Sequence, residues 1–538
     1  MRNKHLLLTL ASAVLFPLAL PNEFFPLGFP ILGVIALIPF YVAIVRTESA
    51  GAATRLGMLF GAVSTLLANY WLLFFGEYTF WTITGPVVGY LGYNAILAGY
   101  LWYATRAPRA YRPFLFAAVW TLYEYLKSTG FLAYPWGLSA YPYNSVPVLI
   151  QVADITGVWG LCLVVMVTTC ALGELLLSLP WRRSTLCLLA GAGRQLAVAV
   201  LLVGIVVGYG VVKLQRDIPQ KATVDVLLVQ QDADAWNTSD IDRPLLVAQQ
   251  QTVLGLDSGE SPPDLIAWSE TSLRWFYVES RSWYERNPVE QPFVQFVESL
   301  PAPLITGAPV QDPDDAYAIH NAVLVIDPDT EVREWYAKRH LVPFVENVPF
   351  WDTPWMRSFF RNVIGITGIW SPGEGDPVLQ IALQSGEPLR LVTPICFEDG
   401  FADLVRYYVL DGADFILNLT NNGWSRTDSA QLQHFVAARF RAVETRLGLV
   451  RSTNSGYTCV VDAWGTVTAS LPMFEPGYLR ATVPVYDSPL TVYMQLGDYL
   501  PQALAVVLIV LFVVCEVLKR TATAKRPRRP LSDWATCP

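Results

Sequence analysis

Charge is scarce in this chain: Asp, Glu, Lys and Arg make up only 15% of 538 residues, against 53% hydrophobic residues. That balance is far too apolar for a wholly soluble protein of this length, so the chain is expected to live in a bilayer. Histidine is rarer still, with four residues, and no Cys/His pair has metal-ligand spacing; no metal and no cofactor are expected. A basic stripe is missing as well. The net charge of −8 is carried largely by the stretch from about residue 215 to 488, which argues against nucleic acid as a partner. Of the seven cysteines, Cys162, Cys170 and Cys515 lie in apolar runs, and Cys187 and Cys537 lie in adjoining segments. Only Cys396 and Cys459 fall in the long polar stretch. A disulfide between them is one reading, and a chemical role for Cys396 is the other.

What is present is a series of long apolar runs. Stretches near residues 5–21, 24–45, 56–77, 83–105, 113–127, 156–179, 195–213 and 498–517 each approach the length that crosses a hydrocarbon core. About eight transmembrane helices are expected. The first run follows Arg2 and Lys4 as a signal peptide would, but another apolar run comes almost at once, so it reads as a retained helix. Basic residues alternate between loops: Arg46 and Arg55, then Arg106, Arg109 and Arg112, then Arg182, Arg183 and Arg194, and finally Lys525 to Arg529. The intervening short loops have no Lys or Arg, which predicts cytoplasmic termini and an extracytoplasmic segment between them. The chain then divides into a seven-helix region at 1–214, an outer domain at 215–490, and a last helix with a basic tail at 491–538.

Within the outer domain, short apolar runs at 224–230, 265–268, 303–306, 322–326, 389–395, 415–419, 449–452 and 459–462 read as buried strands. Stretches 245–256, 293–300, 402–410 and 429–447 read as helices. The last places Leu432, Phe435, Val436, Phe440 and Val443 at helical spacing. An α/β domain large enough for its own core follows.

Three strings in that domain carry chemistry. They are Leu265-Ile-Ala-Trp-Ser-Glu-Thr271, Tyr336-Ala-Lys-Arg-His-Leu-Val-Pro-Phe344 and Leu391-Val-Thr-Pro-Ile-Cys-Phe-Glu398. Glu270, Lys338 and Cys396 supply a base, a cation and a thiol, the parts that acyl transfer through a thioester requires. Glu270 and Cys396 each end a predicted strand, where α/β sheets gather their ligands.

These strings resemble those of the carbon-nitrogen hydrolase (nitrilase) superfamily, which uses a Glu-Lys-Cys triad on an αββα sandwich. With many spans ahead of the domain and one behind it, the full length is similar to the apolipoprotein N-acyltransferase family. The resemblance implies Glu270 as base, Lys338 as the triad lysine and Cys396 as nucleophile. It matches Glu346 and Glu398 to two further acidic residues, and Trp236 to a tryptophan that handles substrate. Ser269, Phe397 and Asn421-Asn-Gly-Trp424 depart from the usual strings. Phe397 keeps its backbone N–H as an oxyanion donor but lacks a hydroxyl for the acyl donor. The resemblance further implies a phospholipid acyl donor, a diacylglyceryl apolipoprotein acceptor, a ping-pong reaction, and a multi-pass place in a bacterial inner membrane with a periplasmic catalytic domain.

Rival readings stay open at this level. A membrane-tethered amidase would use the same triad but release its acyl group to water. A transporter would place charge inside the spans, where the sequence has little beyond Glu124 and Glu174. His340 or His434 could form a Cys-His dyad with Cys396. Glu398 is expected to brace the site and Glu346 to orient Lys338 or transfer protons. The apolar stretch 351–370 is either a lipid entrance or ordinary core, and Tyr134-Pro-Trp-Gly137 is expected as an interfacial anchor, with substrate contact at the membrane face as the other reading.

Overall fold

The computed structural model describes residues 2–74, 79–178, 185–233, 241–315, 317–348, 350–364 and 368–524. Apolar helices fall on the runs read from the sequence: Arg2–Ala19, Pro30–Ile35 with Ile38–Arg46, Ala50–Ala68, Thr79–Thr105, Arg112–Lys127, Val158–Ser178, Thr185–Leu214 and Tyr499–Ala524. The second run is broken near Leu37, because Pro39 in the first turn of Ile38–Arg46 has no N–H for the preceding turn. Among the described residues, Ala50–Ala68, Val158–Ser178, Ala192–Leu214 and Tyr499–Val517 are long and apolar enough to cross a membrane. On the last of these, Val506, Ile509, Phe512 and Val513 are exposed, a surface that lipid rather than protein must cover. The chain is a membrane protein.

Glu174, inside the helix Val158–Ser178, is tied up. Glu174 accepts from Tyr41 Oη at 2.6 Å and from Arg109 Nε at 2.9 Å, and it is also paired with Arg112. A carboxylate held by three donors is a structural tie rather than a step on a transport path.

Two six-stranded sheets form the α/β domain. The first runs β12-β1-β2-β3-β4-β5 and the second β11-β10-β9-β8-β7-β6. The strands are β1 Gln220–Gln230, β2 Leu265–Ala267, β3 Leu304–Gln311, β4 Ile319–Ile326, β5 Val332–Ala337 and β6 Val378–Ala382, then β7 Pro388–Val392, β8 Phe415–Thr420, β9 Leu449–Thr453, β10 Cys459–Val461, β11 Val467–Ser470 and β12 Gly477–Tyr486. Strand alternation sorts the side chains. Val226, Leu228, Leu265 and Ala267 face the second sheet, while Leu227, Val229, Ile266 and Trp268 pack outward under the helices Arg243–Asp257 and Phe293–Glu298. Helices Ala402–Leu410 and Asp428–Thr445 cover the second sheet, completing αββα layers.

The helix Asp428–Thr445 also docks the domain on the membrane region, and every residue from Ser429 to Thr445 is buried. Thr427 caps it by accepting from the Ala430 N–H. Phe435, Val436, Phe440 and Val443 join the apolar core. The polar face meets the helical region: Ser429 donates to Glu23, Gln433 to the Pro21 and Ala68 carbonyls, and Glu444 accepts from the Val158 N–H at 3.0 Å. At its C-terminal end Arg446 pairs with Asp154 at 2.8 Å. One apolar core continues from both sheets to Val158, Leu161 and Val165 of the helix Val158–Ser178.

Candidate active site

Backbone direction brings the three strings to one end of the sandwich. Because β2 and β3 are parallel while β4 and β5 each reverse, β2 and β5 run the same way, so Glu270 and Lys338 leave carboxyl ends of the first sheet on the same side. In the second sheet β7 and β8 are parallel, and Cys396 and Asn421 follow their carboxyl ends. Two residues there adopt left-handed backbone, Cys396 with φ 50° and Thr271 with φ 53°. Such strain persists only where surrounding contacts hold it, and it clusters at functional sites. Gly307 on β3 makes room for the Glu270 turn, since a Cβ there would lie 2.4 Å from the Thr271 nitrogen and 2.6 Å from the Glu270 Cα.

Lys338 is fully buried and anchors the charged cluster. Its Nζ donates to Glu346 Oε1 at 2.8 Å and to Glu270 Oε1 at 3.4 Å. Burial alone would depress the ammonium pKa, but Glu346 and then Glu270 more than offset it, so the pKa is raised and the lysine stays charged. Asn321 Nδ2 bridges the two carboxylates, at 2.8 Å from Glu270 and 3.3 Å from Glu346. The second Glu270 oxygen accepts from the Asn421 N–H at 2.8 Å, and that of Glu346 from the Val342 N–H at 2.7 Å. Both acids are therefore oriented by several donors.

Glu398 ties the two loops together. It accepts from the N–H groups of Ile395 and Arg339 at 2.8 Å each, from His340 at 3.0 Å, and from Tyr336 Oη at 2.8 Å. Burial raises its pKa although these donors counter the effect. A carboxyl held by donors from both loops links the Lys338 string to the Cys396 turn. Ser269 likewise is held, donating to Gln231 Oε1 at 2.7 Å.

Cys396 opens a short 3-10 turn, Cys396–Gly400. Its thiol pKa is pushed well above the ordinary value by burial first and by Glu270 next, with Lys338 acting in the opposite sense. The resting site thus favours the neutral thiol, and attack requires a base to take the proton. Iodoacetamide alkylation of Cys396 at pH 7 is expected to be slower than that of a free thiol and to keep rising beyond pH 9. A rate that levels off below pH 7, followed by mass spectrometry, would instead reveal a pre-formed thiolate.

The histidines sit elsewhere. His434 Nε2 lies 3.1 Å from the Cys396 carbonyl oxygen and 2.9 Å from Asp399 Oδ1, while His340 stacks on Phe401 at 3.9 Å. These contacts engage a carboxylate, a main-chain carbonyl and a neighbouring ring rather than the thiol, which leaves the Cys-His dyad without support. Cys396 and Cys459 are both free, so no disulfide joins them. Trp236 lies outside the described residues.

Phe397, 7% exposed, stacks on Trp136 at 5.2 Å and 17° and meets Phe401 edge-on at 4.8 Å. The string at 134–137 was expected as an interfacial anchor, but Trp136 is 5% exposed and is packed against the residue beside Cys396. Its aromatic surface is shared between the two domains rather than offered to the lipid boundary. Asn321 and the Asn421 N–H are the site members that sequence reasoning missed. The one available signal was a polar Asn321 inside the apolar run of β4.

A two-sheet αββα sandwich with a buried carboxylate and ammonium and a partly buried thiol at its strand ends defines a carbon-nitrogen hydrolase domain, here carried on membrane helices. Residues 258–488 match the family model "Carbon-nitrogen hydrolase", and residues 12–171 match "Apolipoprotein N-acyltransferase N-terminal domain". The chain is 35% identical over 518 residues to Apolipoprotein N-acyltransferase 2 of Treponema denticola, covering 96% of this chain and 98% of that one. It is 29% identical over 507 residues to Apolipoprotein N-acyltransferase of Borreliella burgdorferi, covering 93% of each. Among solved structures, Saccharomyces cerevisiae Nit3 of the nitrilase superfamily aligns with 51% of this chain and 93% of its own at 18% identity and a TM-score of 0.35. The chain belongs to the apolipoprotein N-acyltransferase family.

Proposed function

We propose that this enzyme transfers a fatty acyl chain from a phospholipid to the N-terminal amine of S-diacylglyceryl-cysteine in apolipoproteins, through a thioester on Cys396. The observation that carries the reading is the Glu270–Lys338–Cys396 cluster built at strand ends next to membrane helices, in a chain of this family. Glu270 takes the Cys396 proton, the sulfur attacks the ester carbonyl, and Lys338 with the Phe397 N–H holds the oxyanion. Collapse breaks the carbon–oxygen bond, and Glu270 returns the proton to the departing lysophospholipid. The lipoprotein amine then attacks the thioester, Glu270 accepts its proton, the carbon–sulfur bond breaks, and the thiol is restored.

In this reading residues 1–214 form a seven-helix membrane region, 215–490 the catalytic domain, and 491–538 an eighth helix with a basic tail. The distribution of Lys and Arg supports cytoplasmic termini and a periplasmic catalytic domain on a bacterial inner membrane. Glu346 and Glu398 orient and brace, and Trp236 handles substrate.

An entrance from the lipid is supported by exposed apolar side chains: Phe350, Trp355 and Val363 are all exposed, and Phe359 lies 6.5 Å from Trp81 of the helix Thr79–Thr105. A Phe359→Cys variant is expected to react with a lipid-soluble maleimide in liposomes. Full protection in both detergent and lipid would assign this stretch to the core.

Intact-protein mass spectrometry with phospholipid, with and without a diacylated lipopeptide, tests the function. A fatty-acyl mass on Cys396 that is discharged only by the lipopeptide, with a triacylated product, is the expected result. Discharge by water alone would support the tethered amidase, and no adduct would end the thioester route.

A further inference from the structure

The helix Arg112–Lys127 carries two charged side chains within its last turn, and both are buried, Glu124 at 1% and Lys127 at 7% exposure. Inside a membrane region such groups are costly unless they have work and partners. Their partners include Trp120 on the same helix and, on the loop that follows it, Ser139 and the Trp136 carbonyl. Glu124 Oε1 accepts from the Ser139 N–H at 2.7 Å and from Trp120 Nε1 at 3.0 Å, and Oε2 accepts from Ser139 Oγ at 2.8 Å. Lys127 Nζ donates to the Trp136 carbonyl at 2.6 Å. The two side chains thus grip the loop on either side of Gly137, whose φ of 64° makes the turn between them.

What the loop holds is Trp136. Its ring stacks on Tyr134, at 5.1 Å and 13°, and on Phe397, at 5.2 Å and 17°. Beside the grip lies a partly open pocket with room for only about 50 Å³ of cavity, lined among others by Asn94, Tyr123, Glu124, Lys127, Tyr134 and Trp136. Glu398 fixes the cysteine turn at Ile395, and the Trp136 ring fixes it at Phe397.

We propose that Glu124 and Lys127 are positioning residues for the acylation of Cys396: they hold Trp136 against Phe397 and thereby aim the Phe397 backbone N–H at the developing oxyanion. The inference rests on the thioester reading above. Donors that stabilise an oxyanion act through placement fixed in advance, so a loosened wall slows acyl transfer without touching the nucleophile.

The test uses the full-length protein with Lys127→Met, and Trp136→Leu as a second variant that keeps the carbonyl but removes the ring. Two reactions of Cys396 are followed by intact mass: single-turnover acylation by phospholipid, and alkylation by iodoacetamide at pH 9, which passes through no oxyanion. Acylation is expected to slow by tenfold or more in each variant that folds, with alkylation and the half-saturating lipid concentration within twofold of wild type. Unchanged acylation overturns the proposal. So does an equal slowing of both reactions, which would mean the cysteine turn itself is lost, or a defect that disappears at saturating lipid. If the wild-type protein forms no acyl adduct, the thioester reading fails first, and the variants are not what decides it.

Discussion

Cys396→Ala is expected to abolish the acyl-enzyme adduct and to lower lipoprotein acylation by a factor on the order of 10⁶, as loss of a covalent nucleophile does. The fold should barely notice. Cys396 already sits at φ 50°, so alanine inherits the same backbone strain rather than adding to it, and the Glu398 bonds that hold the turn involve main-chain groups of Ile395, Arg339 and His340. Thermal unfolding in detergent within about two degrees of wild type, together with a missing adduct, is therefore the expected pair of results. Cys459 provides the contrast, since it is fully buried on β10 and faces the core. Cys459→Ala should cost stability through a small cavity yet leave the adduct intact. An adduct that persists in Cys396→Ala, on any residue, would remove Cys396 from the mechanism.

The strings that carry these residues were plain in the sequence because the chemistry needs particular side chains, and strand ends are marked by apolar runs. Eight apolar runs of the outer domain became eight strands, and four helical stretches became helices, for the same reason: burial leaves a periodic mark. The strands that escaped notice are those without a continuous apolar run. β5, which delivers Lys338, alternates outward Arg333 and Trp335 with inward side chains and ends in Tyr336 and Ala337, so it reads as polar until its partner strand is known. β6, β11 and β12 are half-exposed in the same way. The helix Asp428–Thr445 shows the complementary limit. Its apolar stripe disclosed one buried face, but the polar face is buried too, against Glu23, Pro21 and Ala68 of the helical region, and period alone does not reveal a polar interface. Trp136 shows a related limit, because an aromatic near a membrane boundary has the same sequence signature whether lipid or Phe397 covers it. Backbone donors such as the Asn421 N–H leave no mark at all, since any residue type supplies one.

Lys338→Met is the substitution in which stability and chemistry should fail together. The ammonium stands between Glu270 and Glu346, at 3.4 and 2.8 Å, with no exposed surface of its own. Removing it leaves two nearly buried carboxylates that share only Asn321 as a common donor. Losing one partner of a buried ion pair typically costs about 3–5 kcal/mol, much of it the penalty of the charges left behind. The same change removes an oxyanion donor, a loss on the order of 10²–10³ in rate, and it disturbs the base whose orientation the lysine shares. The two losses can be separated with a second substitution. In Lys338→Met/Glu346→Gln one of the orphaned charges is gone, so thermal stability should recover by several degrees while acylation of Cys396 stays at the level of the single variant. Recovery of activity along with stability would show that Lys338 serves only to neutralise the carboxylates. If instead neither stability nor activity falls in Lys338→Met, the buried cation is dispensable, and the oxyanion must be held by backbone donors alone.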